Sequence, residues 1–168
     1  MTEKEKREYF AFEAMCQKVL DNYYLSRGHK VDRSKSCKDF DCILDEKWKV
    51  EEKFRDREYN DILIEIVQDL KTFDAGWFIK TKCDYLHYIF MKDDSIIRFM
   101  RFKWNDFRNW YLENYLSVHS NHQSIVSKKG WGVTINLSVP IADIPKNLYF
   151  DDRPIADDRS LLNGGSLF

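Results

Sequence analysis

The sequence predicts an α/β chain of the α+β kind, and three observations carry that prediction. Apolar residues recur at helical spacing near the N-terminus and again after residue 104. Short apolar runs separated by turn signals fill the stretch from 40 to 102. Residues 133–139 alternate apolar and polar with period two. With 168 residues and 43% hydrophobic content the chain is long enough and apolar enough for one packed core.

Thr2 and Glu5 have the spacing of a capping box, and Phe12, Met15, Cys16, Val19 and Tyr23 then follow at intervals of one helical face. A first helix over residues 3–24 is predicted, with Gly28 suited to the left-handed conformation that ends it. Residues 29–38 are polar and read as a loop. Residues 40–44 and 48–54 read as two strands, with Asp45, Glu46 and Lys47 as the hairpin turn between them. In the second strand, alternation sends Lys49, Glu51, Lys53 and Arg55 to one face and Trp48, Val50 and Phe54 to the other. Glu52 falls on the apolar side.

The run 62–67 is apolar except for Glu65, which predicts a strand buried on both faces and central in a sheet. Residues 84–91 and 96–102 read as two further strands, turned by Asp93, Asp94 and Ser95. Trp104, Phe107, Tyr111, Tyr115 and Val118 predict a second amphipathic helix over 104–117. Residues 119–129 read as a polar loop and 133–139 as a half-buried strand closed by Pro140. The expected organisation is one domain over 1–150 and a loosely attached C-terminal tail over 151–168.

The 27 basic and 28 acidic residues nearly cancel, so any contact with nucleic acid has to come from a local patch rather than a global basic field. No window approaches the ~20 apolar residues of a membrane helix, and the N-terminus alternates charges, so a cytoplasmic protein without membrane contact is expected. The four cysteines show no paired short spacing and are expected as reduced thiols.

The chemistry is concentrated in residues 39–53. The predicted hairpin brings Asp41 from one strand beside Glu51 and Lys53 from the next. Two carboxylates suit a hard divalent cation, which keeps several waters and needs few protein oxygens. A lysine on the same face is placed to orient an attacking water or to stabilise charge developing on a phosphate. Lys80, Lys82, Lys128 and Lys129 are the candidates for contacts to nucleic-acid phosphates.

Phe40 and Asp41, nine intervening residues, then Glu51, Glu52 and Lys53, preceded by a helix and followed by a strand, resemble the motif of the PD-(D/E)XK nuclease superfamily. That group includes restriction endonucleases, Holliday-junction resolvases and phage recombination exonucleases. The run Ile64, Glu65, Ile66, Val67, Gln68, Asp69, then Gly76, Trp77 and Lys82, Cys83, Asp84, Tyr85, is similar to what uncharacterised bacterial and phage members carry after it. The resemblance spans roughly residues 10 to 91. Phe40 stands where the pattern has proline, and Glu52 where an apolar residue is usual.

The resemblance implies a restriction-endonuclease-like core, a central mixed β-sheet flanked by helices, and a deoxyribonuclease dependent on Mg²⁺ or Mn²⁺. It implies metal ligation by Asp41, Glu51 and the main-chain carbonyl of Glu52, a contribution from Glu13 on the first helix, and water or phosphate orientation by Gln68. DNA is the expected substrate, in recombination, repair or restriction, and a homodimer is a common state of such enzymes. The alternative is a nuclease-fold protein without turnover that binds nucleic acid or a protein partner.

Overall fold

Cys16, Leu20 and Tyr24 follow one another at i, i+4 and i+8, and all three are fully buried on one side of the first helix, α1 (Glu3–Ser26). A computed structural model describes residues 3–36, 39–120, 124–129 and 132–154, with side chains except at 6 and 115–132. The helix ends as predicted. Gly28 takes φ +83°, its N–H donates to Leu25 O at 3.0 Å, and His29 N–H donates to Tyr24 O at 3.0 Å, the paired bonds of a Schellman motif.

The chain then forms β1 (Val31–Asp32), β2 (Cys42–Leu44), β3 (Trp48–Arg55), β4 (Asp61–Asp69), β5 (Asp74–Ala75), α2 (Trp77–Lys80), β6 (Tyr85–Lys92), β7 (Ser95–Lys103), α3 (Trp104–Ser120), β8 (Ser124–Lys129), β9 (Gly132–Pro140) and, after two short 3₁₀ turns, β10 (Tyr149–Asp152). A six-stranded sheet has the order β1-β2-β3-β6-β7-β10, and a four-stranded sheet the order β5-β4-β9-β8. The larger sheet is mixed: β3 and β6 run parallel, with Glu51 beside Leu86 and Glu52 beside His87, while the other neighbours are antiparallel. The fold class is therefore α+β with a mixed sheet and helices.

The larger sheet separates two cores. Tyr85, Ile89 and Met91 of β6 pack with Cys16, Leu20 and Tyr24 of α1, while Leu86, Tyr88 and Phe90 join Ile62 and Ile64 of β4, Leu137 and Val139 of β9, and Trp104, Phe107 and Tyr111 of α3. β6 is thus the strand buried on both faces. That property was expected of 62–67, and the structure corrects it: only Ile62 and Ile64 of β4 are fully buried, because the alternate residues Leu63 and Glu65 face a cleft between the sheets. β4 is also an inner strand of the smaller sheet rather than a neighbour of β3.

Three further expectations change. Residues 124–129 form β8 against β9, not a loop, because antiparallel pairing with β9 takes up their backbone groups whatever their side chains. Asp151 and Asp152, assigned to the tail, belong to β10, where Asp151 pairs with Arg98 at 2.7 Å and Asp152 with Arg27 at 2.8 Å. Residues 77–80, for which the sequence pattern predicts no element, form α2. Gly76 before it lies so close to β4 that a Cβ there would stand 2.1 Å from the Glu65 carbonyl oxygen. Thr2, Cys37 and the tail from 155 lie outside the described residues, and Cys16, Cys42 and Cys83 are buried free thiols. Among the described residues no helix is long and apolar enough to cross a membrane.

Candidate active site

The β2–β3 hairpin turns through Asp45 and Glu46, both with positive φ (53° and 60°). Asp45 holds this turn in place by accepting from Lys30 N–H at 2.9 Å and facing His29 Nδ1 at 2.7 Å. The register pairs Leu44 with Trp48 and Cys42 with Val50. Asp41, expected inside the first strand, sits at the bend one step before it. Its N–H still reaches Val50 O at 2.8 Å, and its carboxylate accepts from Glu52 N–H at 2.7 Å. The ladder therefore leads Asp41 to the level of Glu51.

Glu51 and Lys53 share one face of β3, as the pleat requires, and form an ion pair at 2.5 Å. The second Glu51 oxygen lies 3.2 Å from the Thr81 hydroxyl, which also reaches Asp39 O at 2.8 Å. Burial pushes Glu51 above the ordinary carboxylate range; Lys53 pulls it back, and the neighbouring charge of Asp41 adds to the upward shift. Burial works against the Lys53 ammonium, but Glu51, Asp41 and Glu65 outweigh it, so its pKa is raised and it stays a cation. The sequence-predicted trio of Asp41, Glu51 and Lys53 is brought together.

Lys53 also lines a cleft of about 770 Å³ between the two sheets. Glu13, Gln68 and Lys80 line the same cleft, whereas Asp41 and Glu51 lie beyond Lys53 and do not. Burial raises the Tyr9 hydroxyl, the charge of Glu13 adds to this, Lys53 works against it, and Glu65 and Asp41 add smaller upward contributions. Gln68 Oε1 accepts from Lys80 Nζ. Lys82 pairs with Asp39 at 2.9 Å. Lys128 and Lys129 fall in β8, and their side chains lie outside those described.

Glu52 resolves differently from its neighbours. Its side chain is 1% exposed and its carboxylate is paired on the α1 side of the strand, although the residue also borders the cleft. Arg33, from the loop after β1, donates to its two oxygens at 2.9 and 3.2 Å and is itself held by Asp21 of α1. Tyr24 Oη and Cys42 Sγ each donate to Glu52 at 3.2 Å, and His87 Nδ1 lies 2.6 Å from Tyr24 Oη. Burial raises Glu52 and Tyr24 and holds His87 well below 6.5, so the histidine is neutral. Sequence reading missed Arg33, Tyr24 and His87. The signal for them was Glu52 itself, a charge at an apolar position, which calls for a buried counter-charge.

Among the described residues no group of three or more His, Cys, Asp or Glu side chains is gathered as a metal cage. Compared with family models, curated proteins and solved structures, the chain finds no match.

Proposed function

We propose that the protein is a metal-dependent nuclease that hydrolyses DNA phosphodiester bonds, with a restriction-endonuclease-like core built on α1 and β2, β3 and β6. The observation that carries this reading is the Asp41, Glu51 and Lys53 constellation: two carboxylates at one level of a hairpin, the charge of Asp41 adding to burial in raising Glu51, with a lysine 2.5 Å from Glu51. That repulsion suits a hard cation. Mg²⁺ or Mn²⁺ needs only one or two protein carboxylates and completes its shell with water and substrate phosphate, so a three-carboxylate cage is not required. Asp41, Glu51 and the Glu52 main-chain carbonyl are the oxygens that would hold it. When bound, such an ion makes a coordinated water easier to deprotonate and offsets phosphate charge in the transition state.

The chain's own groups supply the rest. Lys53 keeps its proton and presents a cation at the cleft mouth to the scissile phosphate. Thr81 fixes the Glu51 carboxylate from the side away from Lys53. The Glu52 amide holds Asp41 in the orientation facing Glu51.

The test is cleavage of plasmid, linear and branched DNA with Mn²⁺. Wild type is expected to cut, and Lys53→Ala to lose the cut while keeping its circular-dichroism spectrum and melting transition; an unchanged rate in that variant overturns the assignment. One observation favours a second reading, a nuclease-fold protein that binds nucleic acid without turnover: Glu51 is only 8% exposed, and both its oxygens already have partners within the protein. Stoichiometric DNA binding with no product under any divalent ion would select it.

A further inference from the structure

We propose that the cleft beside Lys53 is a subsite for one unpaired nucleobase, so that the DNA cut at the trio is single-stranded next to the scissile phosphate. The inference rests on the nuclease reading and adds the substrate class. Lys53 is the link between the two places: its ammonium is 2.5 Å from Glu51 and 5.3 Å from the Trp77 ring centroid, and it lines the cleft. A phosphate held at Lys53 therefore lies beside the cleft, which has room for an attached nucleoside.

The walls suit a base. Tyr9 and Phe12 from α1 and Trp77 from α2 bring aromatic side chains to the lining, and stacking on such rings tolerates any base. Buried Asn136 and Thr134, 3.1 Å apart on β9, give a polar patch in the same wall. The charges exclude a phosphate track. Lys53, Arg55 and Lys80 are set against Glu13, Glu65, Asp74 and Glu52, the last paired with Arg33, so the lining carries no excess of positive charge. A neutral base fits there, and carboxylates accept from its exocyclic amino groups, whereas a run of phosphates does not fit.

The volume of about 770 Å³ matches a small-molecule site, not a double helix. In a duplex the bases are paired inside the stack, and drawing one out costs a few kcal/mol that an unpaired strand does not spend. At the rim, Phe73 precedes the cleft residue Asp74 and is 80% exposed at φ +54°, a strained conformation for a bulky residue that no burial offsets. It presents a further ring to solvent next to the opening.

The experiment uses a labelled mixed-sequence oligonucleotide, alone and annealed to its complement, with full-length protein and Mn²⁺. The single strand is expected to be cut at least about tenfold faster than the blunt duplex, and an unpaired bubble in the duplex to restore cutting. Tyr9→Ala, at a position 43% exposed, and Trp77→Ala are each expected to raise KM for the single strand about tenfold with little change in kcat, within the range of base stacking on an aromatic side chain. Because Trp77 packs on Trp104, its variant is read together with its melting temperature, while Tyr9→Ala stands without that concern. Equal rates on duplex and single strand, or an unchanged KM in Tyr9→Ala, overturn the subsite and leave the nuclease reading intact. Absence of both binding and cutting on either DNA defeats the nuclease reading and the subsite with it.

Discussion

The two faces of β3 receive consecutive glutamates and treat them in opposite ways. On one face Glu51 meets Lys53 and the Thr81 hydroxyl, with the charge of Asp41 acting on it, and Lys53 carries that face to the cleft. On the reverse face the Glu52 carboxylate is held by Arg33, Tyr24 and Cys42 and is 1% exposed. The difference teaches that a buried carboxylate is not itself a functional signal. Glu52 is the more buried of the two, yet all its partners are internal and its work is to tie α1, the loop after β1 and β6 to the strand that carries Glu51 and Lys53. Its main-chain amide also holds Asp41, so the sealed face supports the geometry of the open one.

The largest effect is expected from opening the sealed face. Arg33→Ala leaves a carboxylate of 1% exposure without its cation, and loss of about 3 kcal/mol or more in unfolding free energy by urea titration is expected. A loss under about 1 kcal/mol would mean that the pair is dispensable and the contrast between the faces is weaker than drawn. On the open face Glu51→Gln should do the reverse: a fall of about 100-fold or more in Mn²⁺-dependent cleavage, with stability within about 1 kcal/mol of wild type, since the change removes a carboxylate that burial already disfavours.

The next effect is a pH dependence. His87 is depressed well below 6.5 by burial, with Arg101 and His29 adding to it, while Tyr24 and Glu52 face it on the other side. The unfolded chain takes up a proton below pH 6.5 that the native state refuses. The His87 contribution to stability is therefore complete above 6.5 and falls as the pH drops, by up to about 1.4 kcal/mol per unit. The difference in unfolding free energy between wild type and His87→Gln is expected to shift in that sense from pH 7 to 5; a constant difference contradicts it. The smallest effect is that of Tyr24→Phe, about 1 kcal/mol of stability from the lost bond to buried Glu52, with cleavage retained.

Much of this was legible in the chain. α1 and α3 follow from apolar spacing, the β2–β3 hairpin from two apolar runs and a polar turn, the shared face of Glu51 and Lys53 from the pleat, and the place of Asp41 beside them from the hairpin pairing. The failures share one physical cause, that sheet partners are set by long-range pairing. The apolar run of β4 reads as a central strand buried on both faces, and it is an inner strand, but its neighbours are β9 and β5, the first more than sixty residues downstream, and this pairing turns Glu65 to the cleft. The residues of β8 carry too few apolar positions to announce a strand until β9 lies beside them. Arg33 is indistinguishable in sequence from any loop arginine; only the crossing of the loop over α1 brings it to Glu52.

The central claim is that Asp41 and Glu51 form an ion-binding pair, and a calorimetric titration with Mn²⁺ tests it most directly. Wild type is expected to bind Mn²⁺ stoichiometrically, Asp41→Asn and Glu51→Gln to lose that binding, and Asp74→Asn, in the cleft wall away from the pair, to retain it. Wild type that binds no Mn²⁺, or an Asp41→Asn variant that binds it unchanged, would contradict the claim.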